Sequence, residues 1–159
     1  MFIGHGPILG TRSLHWRDEA DCATFAQSLA RLPAVRHAFI ELHGPLGAGK
    51  TTFVRHLLRA LGVSGRIKSP TYALLEPYAL SGLAISHLDF YRFADAREWV
   101  DAGLRDVFAA PGLKLVEWPG NAEGLLPPAD LRLFIEPGQE DQREVLVQAG
   151  TSLGLELLP

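Results

Sequence analysis

An α/β fold is predicted for this chain: a three-layer sandwich whose mixed, mostly parallel sheet carries an antiparallel hairpin. Three observations predict it. The apolar run at residues 38–42 leads through a glycine-rich stretch into Phe53, Val54, Leu57, Leu58 and Leu61, which recur at helical spacing. The chain therefore reads strand, loop, helix. Two further apolar runs, at 84–90 and 113–118, have strand length and are apolar enough for the centre of a sheet. Ser81 and Gly82 form a turn signal between residues 72–78 and 84–90, which makes those two runs an antiparallel pair.

The remaining elements follow in order. Residues 1–15 show no periodicity and fit a loop or a loose edge strand. Asp18 has the form of an N-cap, and Ala20, Ala23, Phe25, Ala26, Leu29 and Leu32 make an apolar helical stripe that Pro33 ends. Cys22 within that helix reads as packing, the common role of a lone cysteine. Gly62 fits the stop of a helix at about 50–61. Pro70 biases Ser69 to extended geometry. A short helix over 95–102 stops at Gly103, another turn of helix covers 104–109, and Pro119-Gly120 breaks the 113–118 strand. The last strands are 131–136 and 144–148, joined by a polar turn containing Gly138. No repeat, charge run or linker interrupts the chain, so one domain is expected over 1–159, with its core at about 18–150.

The stretch 43–53 reads H-G-P-L-G-A-G-K-T-T-F and fits G-x-x-x-x-G-K-[ST] through Gly44, Gly49, Lys50 and Thr51. Backbone N–H groups of such a loop wrap phosphate oxygens, and the helix behind it points its positive end at the same anion. In that geometry Lys50 reaches the β- and γ-phosphates and the Thr51 hydroxyl sits on Mg²⁺. A glycine-rich turn with a chance lysine does not account for the flanking strand and helix. The stretch is a nucleoside-triphosphate site on a P-loop NTPase-like core.

Composition narrows the function classes. Hydrophobic residues make up 47 % and charged residues 21 %, an ordinary globular balance, and no run approaches the length of a membrane span. The first 15 residues lack a signal-peptide pattern, and one cysteine excludes an internal disulfide or a cysteine-based metal site. A cytoplasmic location is the expectation. A net charge of −3 argues against a protein that grips nucleic acid by itself, because counterion release needs a basic face. No independent DNA binding is expected.

Hydrolysis needs support for the metal and a group that places water. Asp89 and Glu117 each end an apolar run, and spacing alone does not choose between them. Either also reads as a strand-end charge that pairs with an arginine such as Arg92. Thr71 reads equally as a γ-phosphate sensor in a switch-like segment or as a turn residue before a strand. His87 is a polar core residue or a phosphate contact, and no second histidine stands at ligand spacing. Trp118 reads as a packed aromatic more readily than as a stacking platform.

Four motifs then occur in one order: H-G-P-L-G-A-G-K-T-T-F (43–53), K-S-P-T-Y (68–72) running on to E-P-Y (76–78), H-L-D-F-Y-R (87–92) and L-V-E-W-P (115–119). In order and spacing the chain resembles the bacterial TsaE family, formerly YjeE, over about 18–136. The resemblance implies a small P-loop ATPase, weak alone and activated by partners. Its pathway would make N6-threonylcarbamoyladenosine at position 37 of tRNAs that read codons starting with adenine. ATP and Mg²⁺ are the implied cofactors. TsaB and TsaD are the implied partners, with tRNA reached through their complex. By the same resemblance Leu46, Gly47, Ala48, Gly49, Lys50, Thr51 and Thr52 bind the nucleotide, and Trp118 lies near it. Thr51 and Glu117 hold Mg²⁺ with Asp89 beside them, residues 69–72 form the switch-like segment, and Lys50, Asp89 and Thr71 act in catalysis. Gly120, Phe93 and Trp99 depart from the family pattern, which removes one side-chain contact and implies local repacking.

Two other classes compete. A nucleoside or small-molecule kinase needs a lid and an acceptor pocket, yet only one short helix with Arg92, Arg97 and Arg105 lies between residue 90 and Leu113. A binding module in which ATP merely sets an interface would not need the complete set of Lys50, Thr51 and an acid.

Overall fold

The structure, a computed structural model, describes residues 6–159, so the first five residues of the N-terminal stretch lie outside it. Its strands are β1 (Gly10–Trp16), β2 (Phe39–His43), β3 (Leu75–Leu80), β4 (Leu83–Asp89), β5 (Leu113–Glu117), β6 (Leu131–Pro137) and β7 (Arg143–Ala149). They form one sheet in the order β1-β7-β6-β2-β5-β4-β3. The three central pairings, β6 with β2, β2 with β5 and β5 with β4, are parallel. The flanking pairings are antiparallel: β3–β4 and β6–β7 are hairpins, and β1 adds to the outer edge of β7. The α/β fold with its mixed sheet and hairpin is therefore as expected, its parallel part confined to the centre. Of the two options for the N-terminal stretch, residues 10–16 take the edge strand, in continuous register with β7.

Helices cover the two faces. α1 (Glu19–Ala30) and α2 (Lys50–Leu61) lie on one, α3 (Ala96–Asp101) and α4 (Leu104–Ala109) on the other. Strand alternation sorts the core. Ile85, Leu113 and Leu115 join the α1–α2 side, whereas Leu88 and Val116 join Phe93, Leu104 and Phe108 opposite. Phe53, fully buried, packs its ring 5.9 Å from Phe25 and 6.3 Å from Trp16, which seats the first turn of α2 on the sheet. A ring buried in this way contributes about 1.5–3 kcal/mol. Asp18 caps α1 by accepting from the Asp21 N–H, and Pro33 opens a 3₁₀ turn, Pro33–His37. Cys22 is buried, and burial pushes its thiol up to about 12, which makes it packing.

Two differences from the sequence reading have local causes. β3 begins at Leu75, three residues later than the expected start at 72. The Leu74 N–H donates to the Pro70 carbonyl at 2.7 Å and Leu74 sits at φ 69°, so a turn consumes residues 70–74. α5 (Ser152–Leu157) has no counterpart in the sequence reading. At six residues it is too short to show a period, and it exists because Thr151 caps it while donating to Asp130.

Gly44 shows why the loop leaves β2 through a glycine. Its φ is 148°, and a Cβ there would stand 2.4 Å from the Ile135 carbonyl oxygen and 3.1 Å from the Ala48 Cβ. Backbone on β6 does not yield as a flexible side chain does. Gly44→Ala is expected to cost about 2–4 kcal/mol, read as a lower urea midpoint with an unchanged slope. A midpoint within error of the parent would show that the loop relaxes freely.

Candidate active site

The site is assembled at the carboxyl ends of β4 and β5, where open α/β sheets place their ligands. The parallel register sets Asp89 directly opposite Glu117. Alternation puts His87 and Asp89 of β4 and Glu117 of β5 on the same face as Ile85 and Leu115, toward α2. The two acids that spacing could not separate are thus neighbours, and their partners separate them. The Thr51 hydroxyl donates to Glu117 Oε1 at 2.8 Å, so Glu117 is the acid tied to the phosphate loop. The Thr71 hydroxyl donates to Asp89 Oδ2 at 3.0 Å, and the Tyr91 N–H donates to Asp89 Oδ1 at 2.8 Å. Asp89 is therefore tied to the switch-like segment. Neither acid meets Arg92, which lies 4.2 Å from the Tyr72 ring centroid and donates to the Tyr72 hydroxyl.

Gly49 caps α2 in the left-handed region at φ 107°, and Lys50 follows as the first helical residue. Its side chain is buried, and its Nζ donates to the Gly44 carbonyl and, at 3.0 Å, to that of Pro45. The ammonium also lies 4.0 Å from the Trp118 ring centroid. Burial lowers the Lys50 pKa, against the attraction of Glu117 and Asp89. For Asp89, burial raises the pKa and the Glu117 charge adds to it, while the Tyr91 N–H and Thr71 pull the other way. Trp118 is more than packing. It holds a left-handed backbone at φ 55°, unusual for so large a side chain and costing about 1–3 kcal/mol. The Pro119–Ala122 3₁₀ turn follows it, and its ring lies 5.0 Å from that of Tyr91.

Leu46, Gly47, Ala48, Gly49, Lys50, Thr51, Thr52, Thr71, Asp89, Glu117 and Trp118 all line one cavity of about 320 Å³. Every residue that the resemblance assigns to nucleotide, metal or catalysis by name is brought together, whereas His87 and Arg92 lie outside the lining. Tyr91 and Arg143 complete the lining, and sequence reasoning missed both. Arg143 starts β7, donates from Nε to the Ala48 carbonyl at 2.7 Å, and from Nη2 to that of Gly47 at 3.3 Å. These bonds tie the start of β7 to the glycine loop. His87, read as core or phosphate contact, is core: it is fully buried and meets Glu117. Two carboxylates and a hydroxyl form a hard-oxygen donor set. Thr51, Glu117 and Asp89 would suit a hard cation such as Mg²⁺.

A sequence model of the family described as Threonylcarbamoyl adenosine biosynthesis protein TsaE matches residues 16–145. The chain belongs to the TsaE family. The matched span takes in every residue that lines the cavity, Arg143 included. The tRNA threonylcarbamoyladenosine biosynthesis protein TsaE of Haemophilus influenzae is 40 % identical over 134 residues, which are 84 % of each chain. Its Bacillus subtilis namesake is 37 % identical over 110 residues, 69 % of this chain and 68 % of that one. The crystal structure of Bacillus subtilis YdiB matches with a TM-score of 0.76 at 27 % identity, covering 93 % of this chain and 91 % of that one. Family membership thus places the chain in tRNA threonylcarbamoyladenosine biosynthesis.

Proposed function

We propose that this chain is the ATP-binding and ATP-hydrolysing component of tRNA N6-threonylcarbamoyladenosine biosynthesis. It works in the cytoplasm with a TsaB–TsaD complex, through which tRNA is reached. The observation that carries the reading is the convergence of Lys50, Thr51, Asp89 and Glu117 on one cavity beneath the glycine loop. The loop amides and Lys50 bind the phosphates and take up charge that builds on them during in-line attack by water. Lys50 exchanges the Gly44 and Pro45 carbonyls for phosphate oxygens when the nucleotide enters. Thr51 and Glu117, with Asp89 beside them, would hold Mg²⁺, which when bound supplies positive charge to the phosphate oxygens. Asp89 places the attacking water or takes its proton, and Thr71 couples that carboxylate to its own segment. Tyr72, next to Thr71, is 83 % exposed, so a protein that covers it acts on the cavity through one residue. That placement supports partner-activated turnover. Against the kinase reading, the two short helices after β4 pack on the core. Trp99 of α3 and Phe108 of α4 stack 5.5 Å apart in the core beneath the sheet.

The test is phosphate release from ATP without any acceptor, measured with and without TsaB and TsaD, and recovery of their complex in ATP against ADP. Acceptor-dependent ADP formation would assign the kinase instead. Glu117→Ala is expected to weaken Mg²⁺-dependent nucleotide binding about tenfold and hydrolysis about a hundredfold. Unchanged turnover and magnesium dependence would remove Glu117 from the metal site.

A further inference from the structure

Glu117 is held at both of its oxygens. Oε1 accepts from Thr51, and Oε2 lies 2.7 Å from Nε2 of His87, whose side chain is wholly buried. An ionised carboxylate only accepts hydrogen bonds, so the shared proton sits on Nε2, and the ring's other nitrogen is Nδ1. That Nδ1 is buried without a hydrogen-bond partner. On this face of β4 and β5 the neighbours are Ile85, Leu113 and Leu115, a setting that a leucine would satisfy with nothing unmatched. Histidine leaves one nitrogen orphaned there and gains a single polar contact. That contact is Glu117.

We propose that His87 is a positioning residue that fixes the Glu117 carboxylate so that Oε1 faces Thr51 and the metal. The terminal torsion of a glutamate is broad and roughly two-fold, so a carboxylate with a single partner can turn about Cγ–Cδ and exchange its two oxygens. Held at both, it presents one oxygen in one direction. Partners of this kind, one step behind a metal ligand, set the ligand's orientation and change metal affinity by about 10- to 100-fold when removed. The inference rests on the reading of Glu117 as a metal ligand, and the experiment separates the two.

Binding of ADP is measured by calorimetry in EDTA and across a Mg²⁺ titration for the full chain, His87→Phe, His87→Gln and Glu117→Ala. Phenylalanine keeps the ring and removes the donor; the glutamine amide reaches the same carboxylate with an N–H. His87→Phe is expected to bind ADP in EDTA within about twofold of the parent and to need about tenfold more Mg²⁺ for half-saturation. His87→Gln is expected to recover to within about threefold. Parental magnesium dependence in His87→Phe, with a shifted Glu117→Ala, overturns the proposal and leaves the metal assignment intact. Parental dependence in Glu117→Ala overturns that assignment, and the proposal with it. Where His87→Phe fails to fold by circular dichroism, His87→Met replaces it. Equal magnesium requirements in the Met and Gln variants then overturn the proposal.

Discussion

Lys50→Ala is expected to lower ATP hydrolysis by about a thousandfold and to weaken ADP binding by a smaller factor. The size follows from where the charge sits. Lys50 is only 4 % exposed, at the start of α2, with Trp118 over it and two carbonyls on its ammonium. Charge in such a place acts through a low dielectric, where it is worth several times its value in water. Removing one preorganised donor from a site where negative charge builds costs on the order of 10²–10³ in rate, and here a full positive charge goes with it. Binding suffers less, because the loop amides and the α2 N-terminus remain. Lys50→Arg tests the geometry. The guanidinium keeps the charge, but its planar fork differs in shape from the ammonium that the Gly44 and Pro45 carbonyls and Trp118 surround. Steady-state phosphate release with partners present reads the rate, and calorimetry with ADP reads the binding. Hydrolysis within tenfold of the parent in Lys50→Ala would remove Lys50 from the chemistry.

Much of this was legible in the linear chain, and the unread parts share a physical reason. The strand, loop and α2 unit is local: Gly49, Lys50 and the apolar period of α2 all lie within 20 residues. The strand pair after it is equally local, since a two-residue turn sets its register. What stayed ambiguous depends on which strand lies beside which. Asp89 and Glu117 look alike until β4 and β5 align in parallel, and only then does Thr51 choose Glu117. Thr71 reads as sensor or turn until residues 70–74 close into a turn that hands its hydroxyl to Asp89, 18 residues away. Arg143 carries no motif signal. It reaches the phosphate loop because β6 and β7 fold the chain back, bringing it to Ala48 across 95 residues. Taken alone Trp118 read as packing, because a left-handed backbone at a tryptophan has no sequence signature, and only the resemblance set it near the nucleotide.

Asp89→Asn is expected to cut hydrolysis by about a hundredfold or more while leaving ATP affinity within about threefold of the parent. Asparagine is a clean probe here because the surrounding hydrogen bonds survive it. The amide oxygen still accepts the Tyr91 N–H, as Oδ1 of Asp89 does at 2.8 Å. The amide nitrogen then faces the Thr71 hydroxyl, which turns from donor to acceptor. That hydroxyl redirects its own proton to Ser69, 2.9 Å away, where either oxygen can donate. The segment at 69–71 therefore keeps its contacts, and the change removes one negative charge and one base. A carboxylate whose pKa burial has raised is a better proton acceptor than an exposed one, so its loss falls on the chemical step. Binding rests mainly on the loop, Lys50 and the Thr51–Glu117 pair, with Asp89 beside them, so it changes far less than the rate. The same variant separates a hydrolysing component from one whose ATP merely sets an interface. An Asp89→Asn protein that binds ATP, releases no phosphate and still supports threonylcarbamoylation over many turnovers would make hydrolysis incidental. A single round of modification followed by arrest, with the TsaB–TsaD complex retained in the ATP-bound form, is the result expected if hydrolysis resets the assembly.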